Sequence, residues 1–171
     1  MQKYTEVFYD NELDCGYAFT DNGIRFLFDM DDADLVRSRG WHLSKRGYIA
    51  GKDHRKEKPL HKFIIKADSS FDVDHINREK TDCRKINLRV CTHQENCFNQ
   101  GKRITNTSGY MGVSFSKRSG KYESYINHNG IKHHLGLFET AEEAARVRDR
   151  HAIEYFGSIC YLNFPQIGGL A

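Results

Sequence analysis

The stretch "FDVDHINREKTDCRKINLRVCTHQEN", Phe71–Asn96, decides how this chain is read. "FDVDHI" has the alternation of a strand, "REKTDCRK" is a polar loop, and "INLRVCT" reads as a returning strand. "THQENCFNQG" then has the form of a short capped helix. Thr92 is the expected N-cap and Glu95 sits at the third helical position, a reciprocal capping pair. Gly101 is a plausible stop. The order is strand, loop, strand, helix. Asp74 and His75 lie on the first strand and Asn96 on the helix, with Asn87 in between. A helix crossing the end of a hairpin would bring Asn96 against Asp74, so the wide spacing suits groups that meet from different elements.

These residue types fit phosphodiester hydrolysis. That reaction needs an activated water, charge stabilisation at the phosphate and help for the leaving oxygen. A histidine is a natural general base, typically contributing about 10²- to 10⁴-fold. Carboxylate and amide oxygens are hard ligands suited to Mg²⁺ or Mn²⁺, so Asp74 and Asn96 are the candidate metal ligands. Alternation along the strand sends Asp74 and His75 to opposite sides. Asn87 could fix the loop that aims His75. An Asp-His dipeptide by itself is weak evidence; the whole arrangement carries the reading.

Upstream, "GIRFLFDM" (Gly23–Met30) suits a strand. "DDADLVRSRGW" reads as one or two helical turns with Asp31 or Asp32 as N-cap, and "WHLSKRGYIAG" as a hairpin. "HRKEKP" is expected to be a polar loop, with "LHKFII" leading into the central motif. The cluster Asp29, Asp31, Asp32 and Asp34 has two readings, a metal site or carboxylates at the positive end of a helix; the second is the commoner origin of such clusters.

Downstream of the polar linker "GKRITNTSG", three strand-like runs follow, "YMGVSFSKR", "GKYESYINH" and "GIKHHLGLF". Asn129-Gly130 is a tight-hairpin signal. "TAEEAARVRDRHAIEYFG" reads as a helix with a second capping pair, Thr140 and Glu143, and Gly157 at its end. Period two puts Val113 and Phe115, then Tyr122, Ser124 and Ile126, then His133, Leu135 and Leu137 on the face that the helix covers. The opposite face carries Ser114, Ser116, Arg118, Tyr125, Asn127, Lys132 and His134. Such a face can enter a DNA groove, because a major groove admits strands as well as helices. It can equally be an ordinary solvated face.

The chain has 171 residues and a net charge of +3, unevenly spread. Residues 1–34 hold two basic against nine acidic side chains, and residues 35–171 hold twenty-four against fourteen. The basic part suits a polyanion, of which nucleic acid is the usual one. No apolar run is long enough for a membrane span, and the first residues do not read as a signal peptide. Five cysteines without a CxxC pair argue against a disulfide framework, which implies a reducing compartment. The expected location is the cytoplasm of a bacterial host or phage-infected cell.

Asp-His, Asn at +12 and Asn at +21, with "LHKFII" before and "NLRVCTHQEN" after, resemble the HNH homing endonucleases. The resemblance implies a ββα-metal module that cleaves DNA, with Asp74 and Asn96 holding the metal, His75 as general base and Asn87 orienting it. An asparagine stands where the family's name has its last histidine, the variant with a single hard-metal site. Residues 109–165 are similar to the APETALA2-type DNA-binding domain, through "GYMGVSF", "GKYESYI", "HLGLFETAEEAARVRDRHAI" and "LNFP". That likeness implies a three-stranded sheet in the major groove. Its DNA-facing positions correspond to Met111, Ser114, Ser116, Arg118, Tyr125, Asn127, Lys132 and His134. Plant members hold arginines where this chain has Met111, Ser114 and Ser116, so no target sequence transfers.

The expected fold is α+β, a ββα-metal module followed by a three-stranded antiparallel sheet packed on one helix. Residues 1–60 form a lead-in segment, 61–104 the nuclease module and 105–171 the APETALA2-like domain. The expected activity is Mg²⁺- or Mn²⁺-dependent hydrolysis of double-stranded DNA of homing type, nicking by a monomer or weak dimer. The rival readings are a non-catalytic DNA-binding regulator and a phage packaging-associated protein that needs partners.

Overall fold

A computed structural model describes residues 4–102, 106–157 and 160–165. The fold is α+β, built of antiparallel sheets and short helices in two compact units, residues 1–96 and 97–171. No helix among the described residues is long and apolar enough to cross a membrane.

The first unit opens with β1 (Phe8–Asp10), β2 (Cys15–Phe19) and β3 (Arg25–Phe28), an antiparallel meander. A 3-10 turn leads into α1 (Ala33–Arg37), whose N-cap is Asp32, though no side-chain cap bond forms there. The neighbouring carboxylates are instead tied to Lys85. Its backbone N–H donates to Asp29 Oδ2 at 2.7 Å, and its Nζ lies 3.2 Å from Asp32 Oδ2. Next come β4 (His42–Leu43), β5 (Ile49–Asp53) and β6 (Lys56–Pro59), a second meander. The expected hairpin is present as β4–β5, but "HRKEKP" is not a loop. It turns at His54-Arg55 and returns as a short, largely exposed strand, so it shows no apolar alternation. "LHKFII" is α2 (Leu60–Ile64), a single helical turn or so that leaves little periodicity to read.

The central motif follows as β7 (Asp72–His75), β8 (Leu88–Cys91) and α3 (His93–Asn99). β7 and β8 pair antiparallel, with Asp74 opposite Arg89 and His75 opposite Leu88. The capping pair forms as expected: Thr92 N–H donates to Glu95 Oε2 at 2.8 Å, and Glu95 N–H donates to Thr92 Oγ1 at 3.2 Å. The core of this unit packs Phe26, Phe28, Val36, Trp41, Ile49, Leu60 and Cys83 together. Leu60 from α2 and Cys83 from the β7–β8 loop belong to the same cluster as Trp41. Burial of these side chains therefore fixes α2 and that loop against one another.

The second unit is a sheet in the order β11 (Ile131–Phe138), β10 (Lys121–His128), β9 (Val113–Ser116), with α4 (Ala141–Phe156) packed on it. The Thr140–Glu143 capping box is complete and Gly157 is the C-cap. Small residues let α4 lie close: Ala144, Ala145 and Ala152 are fully buried, and Ser124 Oγ donates to Ala144 O at 2.8 Å. Phe115 pairs with Tyr122 on the expected face and stays 51% exposed. The inner face of the sheet follows the alternation with one exception. Leu137, 46% exposed, points away from the helix, and Phe138 takes the inner place. The cause is a register shift between Ser124 and Tyr125, where Gly136 adopts a φ of +132°. A bulge of this kind inserts one residue and reverses the alternation beyond it.

Candidate active site

β7 presents its residues alternately. Asp72 and Asp74 lie on one side and Val73 and His75 on the other, buried side. Asp74 is pinned across the strand pair by Arg89, whose Nη2 and Nε donate to Asp74 Oδ2 at 2.6 and 3.1 Å. The helix side chain Asn96 reaches the same strand but bonds one step along it, its Nδ2 donating to Asp72 Oδ2 at 3.0 Å. His93 Nδ1 stands 2.9 Å from that oxygen. The Asn96 bond, with His93, holds the Asp72 carboxyl below its usual range. Asp72 was not picked out from the sequence, where it is one more acid beside a more conspicuous Asp-His pair.

His75 is 3% exposed. Its ring lies 4.8 Å from that of His61, edge to face, and 5.8 Å from that of Tyr48. Cys83 Sγ is 3.9 Å from His75 Nε2. Burial pushes the imidazole pKa down to about 4, against the pull of Asp74, so the ring is neutral at physiological pH. Burial likewise lowers His61 to about 3 and raises the Cys83 thiol, which stays protonated.

Asn87 is buried and joins the two ends of the loop that follows His75. Its Nδ2 donates to Asp82 O at 2.8 Å, its Oδ1 accepts from Asn77 N–H at 2.9 Å, and its backbone carbonyl accepts from Ile76 N–H at 2.8 Å. Every hydrogen-bonding group of this side chain is thus spent on holding one loop shape. Arg84 adds a forked pair of bonds to Asp82 inside the same loop.

Among the described residues no cluster of three His, Cys, Asp or Glu side chains has metal-binding geometry. The donor set on this side of β7 is nonetheless of the right kind. Asp74, Asp72 and the Asn96 amide offer hard oxygens.

In the second unit, Ser114, Tyr125, Lys132 and His134 do share the sheet face away from α4. Lys132 Nζ sits 4.1 Å from the centre of the Tyr125 ring. The middle of this face is held by Glu123, which sequence reading left out. Its carboxylate takes Lys132 Nζ at 3.1 Å, lies 3.8 Å from His134 Nε2, and accepts from Ser114 Oγ at 3.4 Å. Met111 is held by its backbone, which exchanges hydrogen bonds of 2.7 and 3.0 Å with the Asn163 side chain. Met111, Ser114, Tyr125 and Asn127 also line an open groove of about 580 Å³. Arg118 and Asn127 are exposed, and Ser116 Oγ accepts from Ser119 N–H.

Residues 66–97 match the family model described as HNH endonuclease. An uncharacterised HNH endonuclease of Acanthamoeba polyphaga mimivirus is 32% identical over 140 residues, covering 78% of this chain and 72% of that protein. The chain belongs to the HNH endonuclease family, nucleases that act on DNA. Its C-terminal region is similar to plant proteins of APETALA2 type. APETALA2-like protein 2 of Oryza sativa subsp. indica is 45% identical over 58 residues, which is 34% of this chain and 13% of that protein. The AP2-like ethylene-responsive transcription factor TOE2 of Arabidopsis thaliana is 43% identical over 58 residues, 34% and 12% respectively. No solved structure matches the chain.

Proposed function

We propose that this nuclease is a metal-dependent DNA endonuclease of homing type. Residues 61–104 form its ββα-metal module and residues 105–171 hold the duplex. The observation that carries the proposal is the meeting of β7 and α3: the Asp-His strand and the asparagine helix, far apart in sequence, are joined through Asp72 and Asn96 within the stretch that matches the family.

In this reading His75 accepts a proton from the attacking water, its ring being neutral beforehand and regaining basicity once it is opened to water. The ring is covered in the free protein, so the DNA-bound state must open it to water. Asn87 braces the loop that follows His75, and so fixes the end of β7 from which the ring projects. Asp74 and Asn96 hold a divalent ion, Mg²⁺ or Mn²⁺, with Arg89 orienting the Asp74 carboxylate. A divalent cation bound there supplies charge stabilisation for the phosphoryl and leaving oxygens. One such site in one chain cuts one strand per encounter.

The sheet face with Met111, Ser114, Ser116, Arg118, Tyr125, Asn127, Lys132 and His134 contacts the major groove. With serines and methionine in place of arginines, it makes fewer bidentate contacts to guanine edges, which relaxes the sequence read. Glu123 adds an acceptor to that face and neutralises part of Lys132.

The test is conversion of supercoiled plasmid to open circles by the full chain with Mg²⁺ or Mn²⁺, and its arrest by EDTA. Cleavage that survives EDTA would remove the metal from the account. Linear product formed without an open-circle intermediate would remove the nicking step.

A further inference from the structure

We infer that His61 is a positioning residue for His75: the buried ring of His61, together with Tyr48, fixes the plane in which the His75 imidazole meets the reacting water. The inference rests on His75 being the general base, and assigns a function to a side chain that the reading of the catalytic motif does not use.

The geometry is a closed set of three rings. His61 and His75 stand 4.8 Å apart with their planes at 88°, Tyr48 and His61 5.1 Å apart, and Tyr48 and His75 5.8 Å apart. Edge-to-face contact is the preferred arrangement of such rings and is directional, so it resists rotation of either partner. Each ring comes from a different element: His61 from α2, His75 from β7, and Tyr48 from the turn before β5. Tyr48 is held from outside by Lys80, whose Nζ lies 4.4 Å from the ring centre and donates to Arg46 O at 2.8 Å. The set therefore ties the β4–β5 turn and the β7–β8 loop to the base.

Packing alone does not account for a histidine at position 61. The side chain is 3% exposed, and among the described residues its Nδ1 is buried without a hydrogen-bond partner. A polar atom in that state is disfavoured relative to an apolar side chain of similar bulk. Leu60, its neighbour on α2, supplies the helix's anchor in the apolar cluster, so His61 is not needed there. What position 61 does touch is the ring of the base. Small displacements of a reacting group are costly, about 10²-fold for 1 Å, so a side chain that holds His75 in place acts on the rate of the chemical step.

The test is steady-state plasmid nicking by full-length variants in Mg²⁺, with Trp41 emission as the check of folding. His61→Ala is expected to lower kcat by about 10- to 100-fold, leaving KM for plasmid and the half-saturating Mg²⁺ concentration unchanged. His61→Phe, which restores a ring without the nitrogens, is expected to recover most of that loss. If His61→Ala does not fold, His61→Gln carries the same expectation of a kcat loss. A folded His61→Ala or His61→Gln with the kcat of the parent overturns the inference. So does a loss confined to KM, or a His61→Phe as impaired as the alanine variant. In each of these cases an inactive His75→Ala leaves the base assignment standing, whereas an active His75→Ala overturns both.

Discussion

Lowering the pH from 8 to 5 should destabilise the N-terminal unit, because folding buries two neutral imidazoles there. The folded pKa values, about 3 for His61 and about 4 for His75, lie below the 6.5 of an exposed histidine. Between pH 6.5 and about 4 the unfolded chain therefore binds more protons than the folded one. Stability is fully present above pH 6.5 and is lost as the pH falls through that window. The groups that act on these rings do not reverse the sign: Asp74 and Asp82 raise His75, Lys80 lowers it, and for His61 the pull of Asp72 is outweighed by burial, His75 and Lys62. At pH 5 each ring has moved 1.5 pH units below 6.5, and at 1.36 kcal/mol per unit that is about 2 kcal/mol. The pair together contribute about 4 kcal/mol, a large part of the 5–15 kcal/mol typical of a domain. The assay is urea unfolding followed by Trp41, which is the chain's single tryptophan and lies in the core of this unit, so the signal reports that unit alone. His61→Phe should reduce the loss to about 2 kcal/mol, since one protonatable ring is gone. A change below about 1 kcal/mol between pH 8 and 5, or an unchanged slope in His61→Phe, would refute the reasoning.

The remaining predictions concern both units. Asp74→Ala and Asn96→Ala should raise the Mg²⁺ concentration needed for nicking or abolish the activity, measured by metal titration; an unchanged titration curve removes these two as ligands. Gly112→Ala should destabilise the C-terminal unit by about 2 kcal/mol or more, seen as a lowered calorimetric transition. Its φ is +72° and a Cβ there would stand 2.5 Å from the Tyr125 carbonyl oxygen. Lys132→Ala should weaken binding to all DNA sequences alike and reduce the salt dependence, read from binding isotherms at several salt concentrations, by less than about one counterion, because Glu123 already neutralises part of its charge. An effect on one sequence alone would make Lys132 a base reader.

What was legible in the sequence was whatever is written locally. The two capping pairs, Thr92 with Glu95 and Thr140 with Glu143, marked both longer helices correctly, because a cap is chemistry between residues three apart. The hairpins at Asn129-Gly130 and through Lys45–Gly47 were marked by turn residues in the same way. The mimivirus and plant relatives support the two resemblances drawn from the motifs. The failures are features set by partners distant along the chain. β6 is polar and exposed, and is a strand only because β5 pairs with it. α2 is too short to show a period. Leu137 faces outward because a bulge at Leu135-Gly136 in its own strand shifts the register against β10, and nothing in the alternation of "HLGLF" reveals it. The site shows the same division. The spacing of Asp74, His75, Asn87 and Asn96 was visible. The partners that hold them, Arg89 across the strand pair, Asp72 under Asn96 and His61 against His75, are contacts made by folding. Glu123 was not legible as part of that face, because its place there comes from contacts with Lys132 on one neighbouring strand and Ser114 on the other.

The central claim is that His75 performs the chemistry while the rest of the chain holds the DNA. The most direct measurement is a comparison of parent and His75→Ala on one plasmid substrate, with single-turnover nicking in Mg²⁺ and DNA affinity in Ca²⁺ measured side by side. The account predicts a loss of nicking of at least about 10²-fold, with an affinity close to that of the parent. Nicking by His75→Ala at the parent's rate, or a loss of activity matched by an equal loss of DNA affinity, would contradict it.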